Sequence, residues 1–313
     1  MTTRREFLIG GAAALAASAA TMTAVDFAVP PHACDCHTHI IGDPARFPFW
    51  AGRGYTPEPA SPEQMAALHR ALHIERVVIV TPSVYGTDNS ATLFGMRARG
   101  ATARGVAVID GRTPPRELDA MARAGVRGIR LNLANSAHND PATARRLIGE
   151  AAGWVRPHNW HIQLNTSLAV IAAVKGLLMD LPVPVVVDHF GGAKAALGVE
   201  QPGFVDLVEL VRSGKAYVKI SAAYRVSNLP DYSDVAPLAK ALIAANGERV
   251  VWGSDWPHPD SANATGAEAL RPRPPIPVDD GRVFNLLPSW APDAETRKRI
   301  LVENPARLYG FAA

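Results

Sequence analysis

Along most of this chain, apolar runs of five to seven residues alternate with longer stretches in which apolar positions recur every three or four residues. The short runs read as buried strands and the longer stretches as amphipathic helices. Eight strand candidates follow: Ala33 to His39, Arg76 to Thr81, Gly105 to Ile109, Gly128 to Leu133, His161 to Asn165, Val183 to His189, Ala216 to Ile220 and Val250 to Ser254. The helical stretches begin with their own signals. Ser61 stands before Pro62, Glu63 and Gln64, an N-cap followed by proline at the first helical position, and Thr113-Pro114-Pro115-Arg116-Glu117 repeats that arrangement. Strands alternating with helices predict right-handed crossovers, a parallel sheet and an α/β fold. An open doubly wound sheet would carry a Gly-rich phosphate loop after its first strand. Here that strand ends in His37-Thr38-His39-Ile40-Ile41-Gly42, so the expected architecture is a (β/α)8 TIM barrel.

One stretch breaks the rhythm. Pro257 to Pro292 is rich in proline and poor in apolar periodicity, and includes Arg271-Pro272-Arg273-Pro274-Pro275. Long ordered loops are uncommon unless functional, and this Pro-rich loop follows the last strand on the face where barrel enzymes hold their chemistry. It is expected to form a lid or a wall of the pocket.

The polar residues that close the strands define a candidate site. First and last strands are neighbours in a closed barrel, which brings His37 and His39 to Asp255 across more than two hundred residues of sequence. Alternation turns His37 and His39 to the same face, and two imidazoles in a barrel mouth are costly to bury without partners. Reading the other strand ends in order adds Ser83 with Tyr85, then Arg130 and Asn132, then Gln163 and Asn165, then His189, then Tyr224 and Arg225, and finally His258 beyond Asp255. Arg130 lies in an apolar strand, where a guanidinium must pair with an anion. That anion is a structural partner such as Asp110 or, the reading preferred here, a substrate carboxylate.

Several of these segments together resemble a known family. The His-Thr-His strand, Gly86-Thr87-Asp88-Asn89, Gly128-Ile129-Arg130-Leu131-Asn132, Val187-Asp188-His189-Phe190-Gly191, Val251 to Pro259 and Asn304-Pro305-Ala306-Arg307-Leu308-Tyr309 are similar, in this order, to the amidohydrolase superfamily and its lactonase branch. The resemblance runs from about Ala33 to Tyr309 and implies a hydrolase that opens a carboxylated lactone: a pyrone dicarboxylate, a muconolactone or a sugar-acid lactone. It implies that Asp255 takes the proton from a water, that His37, His39 and His189 polarise the carbonyl, and that Arg130 holds a carboxylate. Ser83, Tyr85, Asn132, Asn165, Arg225 and His258 are the further candidates for substrate contact. A water attacking an ester needs such a base within reach, and the oxyanion needs donors around it.

The resemblance also bears on cofactors. Two-metal members carry a bridging lysine or glutamate in the fourth strand, and one-metal members a histidine ending the fifth. This chain has Arg130 and Asn132, then Gln163 and Asn165, with His161 at the wrong end of its strand. No metal is therefore expected to be required; the alternative is a single Zn²⁺ on His37, His39, His189 and Asp255. A metal-dependent decarboxylase of the same superfamily is the nearest competing function. A periplasmic carboxylate-binding protein is the other, but it needs no buried base.

The N-terminus reads separately. Arg4-Arg5-Glu6-Phe7-Leu8, followed by the small apolar stretch from Ile9 to Ala20, has the layout of a cleavable twin-arginine export signal over residues 1–24. Residues 25–313 then form one domain, with roughly 290 residues suiting a single barrel, and a periplasmic location is expected. Loss of Arg4, Arg5 and Glu6 takes the formal charge from +3 to +2. No basic run tracks phosphates, which argues against a nucleic-acid partner, and the Ala-rich signal is too short for a comfortable membrane span. Cys34 and Cys36 share one strand face, where a mutual disulfide is strained, so free thiols are expected.

Overall fold

The computed structural model describes residues 22–134, 140–262 and 264–312. The expected export signal lies outside this range up to residue 21. Eight parallel strands form one sheet in sequential order: β1 (Cys34–Thr38), β2 (Arg76–Val80), β3 (Ala103–Ala107), β4 (Val126–Asn132), β5 (His161–Asn165), β6 (Val185–Val187), β7 (Ala216–Ser221) and β8 (Val250–Gly253). Just beyond the ends of β1 and β8, the Asp255 amide donates to the His37 carbonyl at 2.9 Å and the His39 amide to the Trp256 carbonyl at 2.8 Å. These bonds close the sheet on itself, giving a (β/α)8 TIM barrel.

The crossovers are helical, with α1 (Pro62–Ala71), α2 (Ser90–Arg99), α3 (Pro115–Ala124), α4 (Pro141–Val155), α5 (Leu168–Asp180), α6 (Phe204–Arg212) and α7 (Ala236–Asn246) between successive strands, and α8 (Asn304–Tyr309) at the end. Ser61 caps α1 as expected: its hydroxyl accepts from the Gln64 amide while the Gln64 side chain accepts from the Ser61 amide. The expected cap at Thr113 is not formed. Helix α3 starts one residue later with Pro114 at the cap position, because the Thr113 hydroxyl accepts instead from the Asp110 amide.

Alternation along the strands divides the core in two. Cys34, Cys36, Val78, Val80, Val106, Val186, Tyr217 and Val251 fill the barrel, with Tyr309 and Phe311 among them. The opposite strand faces, with Val77, Ile79, Ile129, Ile162 and Val218 among them, pack against the helices. Both cysteines are buried free thiols. Strand β3 begins and ends earlier than the apolar run suggested. Arg104 enters it by donating to the Tyr309 and Gly310 carbonyls, and the Asn89 side chain takes both backbone groups of Val108, ending the ladder there.

The proline-rich stretch after β8 has structure of its own. Residues Pro272–Arg273 pair in parallel with Thr56–Pro57, and helical turns cover Gly266–Leu270, Asp280–Phe284 and Leu287–Trp290. The start of the described chain is fastened to it: the Thr23 amide and hydroxyl both donate to the Asp279 carboxylate.

Candidate active site

The barrel mouth is built by a close approach of its closing strands. A Cβ on Gly253 would lie 2.8 Å from the His37 backbone nitrogen, so only glycine lets β8 settle against β1 at this level. Buried Asp35 locks the seam: one oxygen accepts from the His37 and Ser254 amides, the other from the Ser254 hydroxyl at 2.5 Å, with His69 Nε2 at 3.3 Å. The chain then leaves the strand ends through left-handed backbone at non-glycine residues that include His189 (φ 48°), Ala222 (φ 55°) and Asp255 (φ 67°). Such conformations cost about 1–3 kcal/mol each and gather where geometry serves function. Here they swing His189 and Asp255 into the mouth.

Asp255 is at the centre. Its Oδ2 accepts from the Tyr224 hydroxyl at 2.6 Å and from Arg225 Nε at 2.8 Å. Its Oδ1 faces three imidazoles, with His39 Nε2 at 3.4 Å, His37 Nε2 at 3.6 Å and His189 Nε2 at 3.8 Å. Burial alone would raise this carboxyl, but Arg225, His189, His39 and His37 outweigh it and hold Asp255 well below the ordinary carboxylate value. Burial lowers His189 to about 4 against the pull of Asp255 and Asp188, and burial with the Lys219 ammonium lowers His37 well below the usual imidazole value.

Beneath them lies a second ionic group. Asp188 Oδ2 accepts from Arg130 Nε at 3.1 Å and from Gln163 Nε2 at 3.0 Å, and its Oδ1 is 3.5 Å from Lys219 Nζ. Arg130 therefore has a structural anion, Asp188 rather than Asp110, which is occupied with Arg112 near the surface. Only the Nε edge is used in this way. Among the described residues, its terminal nitrogens have no protein acceptor, and Arg130 lines the cavity above. Counting Arg130, Lys219 and Arg225 against Asp188 and Asp255, the site holds one positive charge in excess. A cavity of that charge attracts anions.

The cavity has a volume of about 230 Å³. The structure brings His39, Ser83, Arg130, Asn132, Asn165, His189, Arg225 and Asp255 together around it, with His37 directly beneath. Asn165 Nδ2 donates to Asn132 Oδ1. Arg225 lines the cavity, but its nitrogens are committed to Asp255, Ser261 and the Pro259 carbonyl. Two expected contacts are elsewhere. Tyr85 is buried beside Phe49, its hydroxyl accepting from the Gly42 amide. His258 pairs with Asp280 in a separate groove of about 360 Å³ and donates nothing to the cavity. Their places are taken by Tyr55, in the loop after β1, and by Ser261 in the proline-rich wall.

His37, His189 and Asp255 each offer a ligand atom, all within 4.8 Å of one another, so the atom types for one divalent cation are present. A ligating histidine normally turns its other nitrogen to an acceptor. His39 does so, with Nδ1 2.7 Å from the Val80 carbonyl, and His189 Nδ1 meets the Ser221 hydroxyl at 2.9 Å. His37 Nδ1 lies between Asp188 Oδ1 at 3.2 Å and Lys219 Nζ, a donor, at 3.3 Å, and of the two only the Lys219 contact has hydrogen-bond geometry. The Lys219 ammonium competes with Asp188 for that nitrogen, so at His37 the arrangement departs from that of an ordinary metal ligand.

The fold and this constellation define an enzyme of the amidohydrolase type. The chain belongs to the Amidohydrolase family, whose profile matches residues 34–311. It is 36% identical over 289 residues to a 4-sulfomuconolactone hydrolase of Hydrogenophaga intermedia, covering 92% of this chain and 91% of that one. It is 32% identical over 293 residues to a 2-pyrone-4,6-dicarboxylate hydrolase of Comamonas testosteroni, covering 90% and 92%. Among solved structures it is similar to a Pseudomonas putida protein described as a 2-pyrone-4,6-dicarboxylic acid hydrolase, with a TM-score of 0.72, 29% identity and coverage of 91% and 100%.

Proposed function

We propose that this enzyme hydrolyses a small lactone carrying a carboxylate, by a water that Asp255 deprotonates and without a required metal. The observation that carries this reading is the division of labour within one carboxylate. Oδ2 is tied to Arg225 and Tyr224, while Oδ1 is left facing three imidazoles at the cavity floor. His39 Nδ1 lies 2.7 Å from the Val80 carbonyl, which fixes the ring with Nε2 facing Asp255 Oδ1 at 3.4 Å. A water hydrogen-bonded to Asp255 Oδ1 can give it a proton and present its oxygen lone pair to the cavity.

The reaction then runs in two balanced steps. Water adds to the ring carbonyl carbon as its proton passes to Asp255, and the oxyanion is met by the His37 and His189 rings. Collapse breaks the ring C–O bond, and Asp255 returns the proton to the departing oxygen. Arg130 receives the substrate carboxylate in its free fork, with Tyr55, Ser83, Asn132 and Asn165 available to the rest of the molecule. The relatives named for sulfomuconolactone and pyrone dicarboxylate support a cyclic ester bearing an acidic group. On its twin arginines, the enzyme is proposed to act in the periplasm.

The test is a set of lactones with and without a carboxylate, assayed for ring opening before and after dialysis against chelator. Carboxylated members should open, and activity should survive dialysis. No turnover on any of them, or loss on chelation restored by added zinc, would overturn the proposal.

A further inference from the structure

Lys219 is fully buried at the centre of the barrel, on the inward face of β7 between Tyr217 and Ser221, and no step above uses it. Its ammonium has three near neighbours: Gln163 Oε1 at 2.7 Å, His37 Nδ1 at 3.3 Å and Asp188 Oδ1 at 3.5 Å. An ammonium has three protons to give and no lone pair to receive one. Gln163 Oε1 takes one of them, Asp188 Oδ1 offers a charge partner, and His37 Nδ1 can take another only when it carries no proton of its own.

We propose that Lys219 is the positioning residue that fixes His37 in the tautomer with its proton on Nε2, making His37 a hydrogen-bond donor toward the reacting centre and denying that nitrogen to a metal ion. The alternative is that Nδ1 carries the proton and gives it to Asp188. Asp188 Oδ1 is near enough, at 3.2 Å, yet it accepts no hydrogen bond among the described residues, whereas the contact from Lys219 to Nδ1 has hydrogen-bond geometry. Among the described residues, His37 Nε2 has no hydrogen-bond partner, and it looks toward Asp255 Oδ1 at 3.6 Å. A lone pair there would oppose the carboxylate; a proton there is attracted to it. Burial and the neighbouring ammonium keep the ring neutral, in agreement with a single ring proton.

This inference rests on the functional reading for what His37 does, but not for where its proton is. It explains how a cluster of zinc-type atoms can stay free of zinc: a nitrogen that bears a proton has no lone pair to coordinate. Removing the ammonium should let His37 turn its proton to Asp188, the carboxylate second shell that metal-binding histidines ordinarily have.

The experiment uses ¹⁵N-histidine-labelled full-length enzyme without substrate, with the His37 ring signal assigned by its loss in His37→Gln. Wild type should show Nε2 protonated and Nδ1 bare. In Lys219→Met the pattern should reverse, zinc affinity measured by competition should rise about 10–100-fold, and kcat should fall by about 10²–10³ with KM little changed. Asp188 keeps Arg130 and Gln163 in that variant, so its charge stays paired. A wild-type ring protonated on Nδ1 overturns the proposal, even if the variant fails to fold. So does a folded variant whose ring signal and zinc affinity match wild type. An enzyme inactive on every lactone would sink the functional reading alone, because the ring signal is read without substrate.

Discussion

Arg225→Gln isolates the electrostatic setting of the proposed base. Arg225 is the largest influence lowering Asp255, bonded to it through Nε at 2.8 Å, and Asp255 in turn strengthens the arginine's hold on its proton. An adjacent opposite charge lowers a carboxyl by about 1–3 units, so its loss should raise Asp255 by that amount, about 1–4 kcal/mol of differential interaction. His189 should rise with it, since Arg225 also depresses that ring. In wild type, Asp255 is ionised throughout the range where carboxylates usually titrate, so activity should show no limb from it above about pH 4. In the variant, the acid limb of kcat/KM should move up by about 1–3 units. KM should also rise, because the same guanidinium anchors Ser261 and Pro259 of the cavity wall. Initial rates from pH 4 to 8 on one carboxylated lactone, with stability checked at each pH, make the measurement. An acid limb that does not move would refute the argument.

Two further outcomes follow from the same geometry. Arg130→Lys should raise KM strongly for a carboxylated lactone and little for a neutral one, since lysine cannot reproduce the free fork; equal losses on both would make Arg130 purely structural through Asp188. Stability should fall as the pH drops from about 6.5 toward 4, because the unfolded chain takes up the protons that buried His189, lowered to about 4, refuses. That residue alone accounts for about 3 kcal/mol, with His161, lowered to about 3 by burial, acting in the same sense. The carboxylates Asp188 and Asp255, held low, withdraw their contribution only below about pH 4. A urea midpoint unchanged between pH 7 and 4.5 would contradict this.

The sequence made the barrel legible because each strand is a short apolar run whose polar terminus marks the mouth. It made His37, His39, His189 and Asp255 legible for the same reason. Tyr55 left no such mark, as it reaches the cavity from a loop whose path only the folded chain defines. Tyr85 and His258 follow strand ends in sequence, but their backbones turn away, the first into a 3₁₀ turn over Ser83–Tyr85 and the second through a left-handed residue. Asp188 was hidden by alternation: beside His189 in an extended strand it should face the other way, yet left-handed backbone at His189 lets both serve the same site. Lys219 did carry a signal, a charged residue inside an apolar strand, the same argument that drew attention to Arg130.

The central claim is that Asp255 takes the proton from the attacking water. Asp255→Asn keeps the shape of the side chain and its contact with Tyr224 and Arg225 while removing the base. The most direct measurement is steady-state turnover of this variant on a lactone the wild type opens, with folding verified by its unfolding transition. The expected result is a kcat lower by about 10²–10⁴ with KM little changed. A folded variant that keeps more than about a tenth of wild-type turnover would contradict the account, since that is far less than a general base contributes.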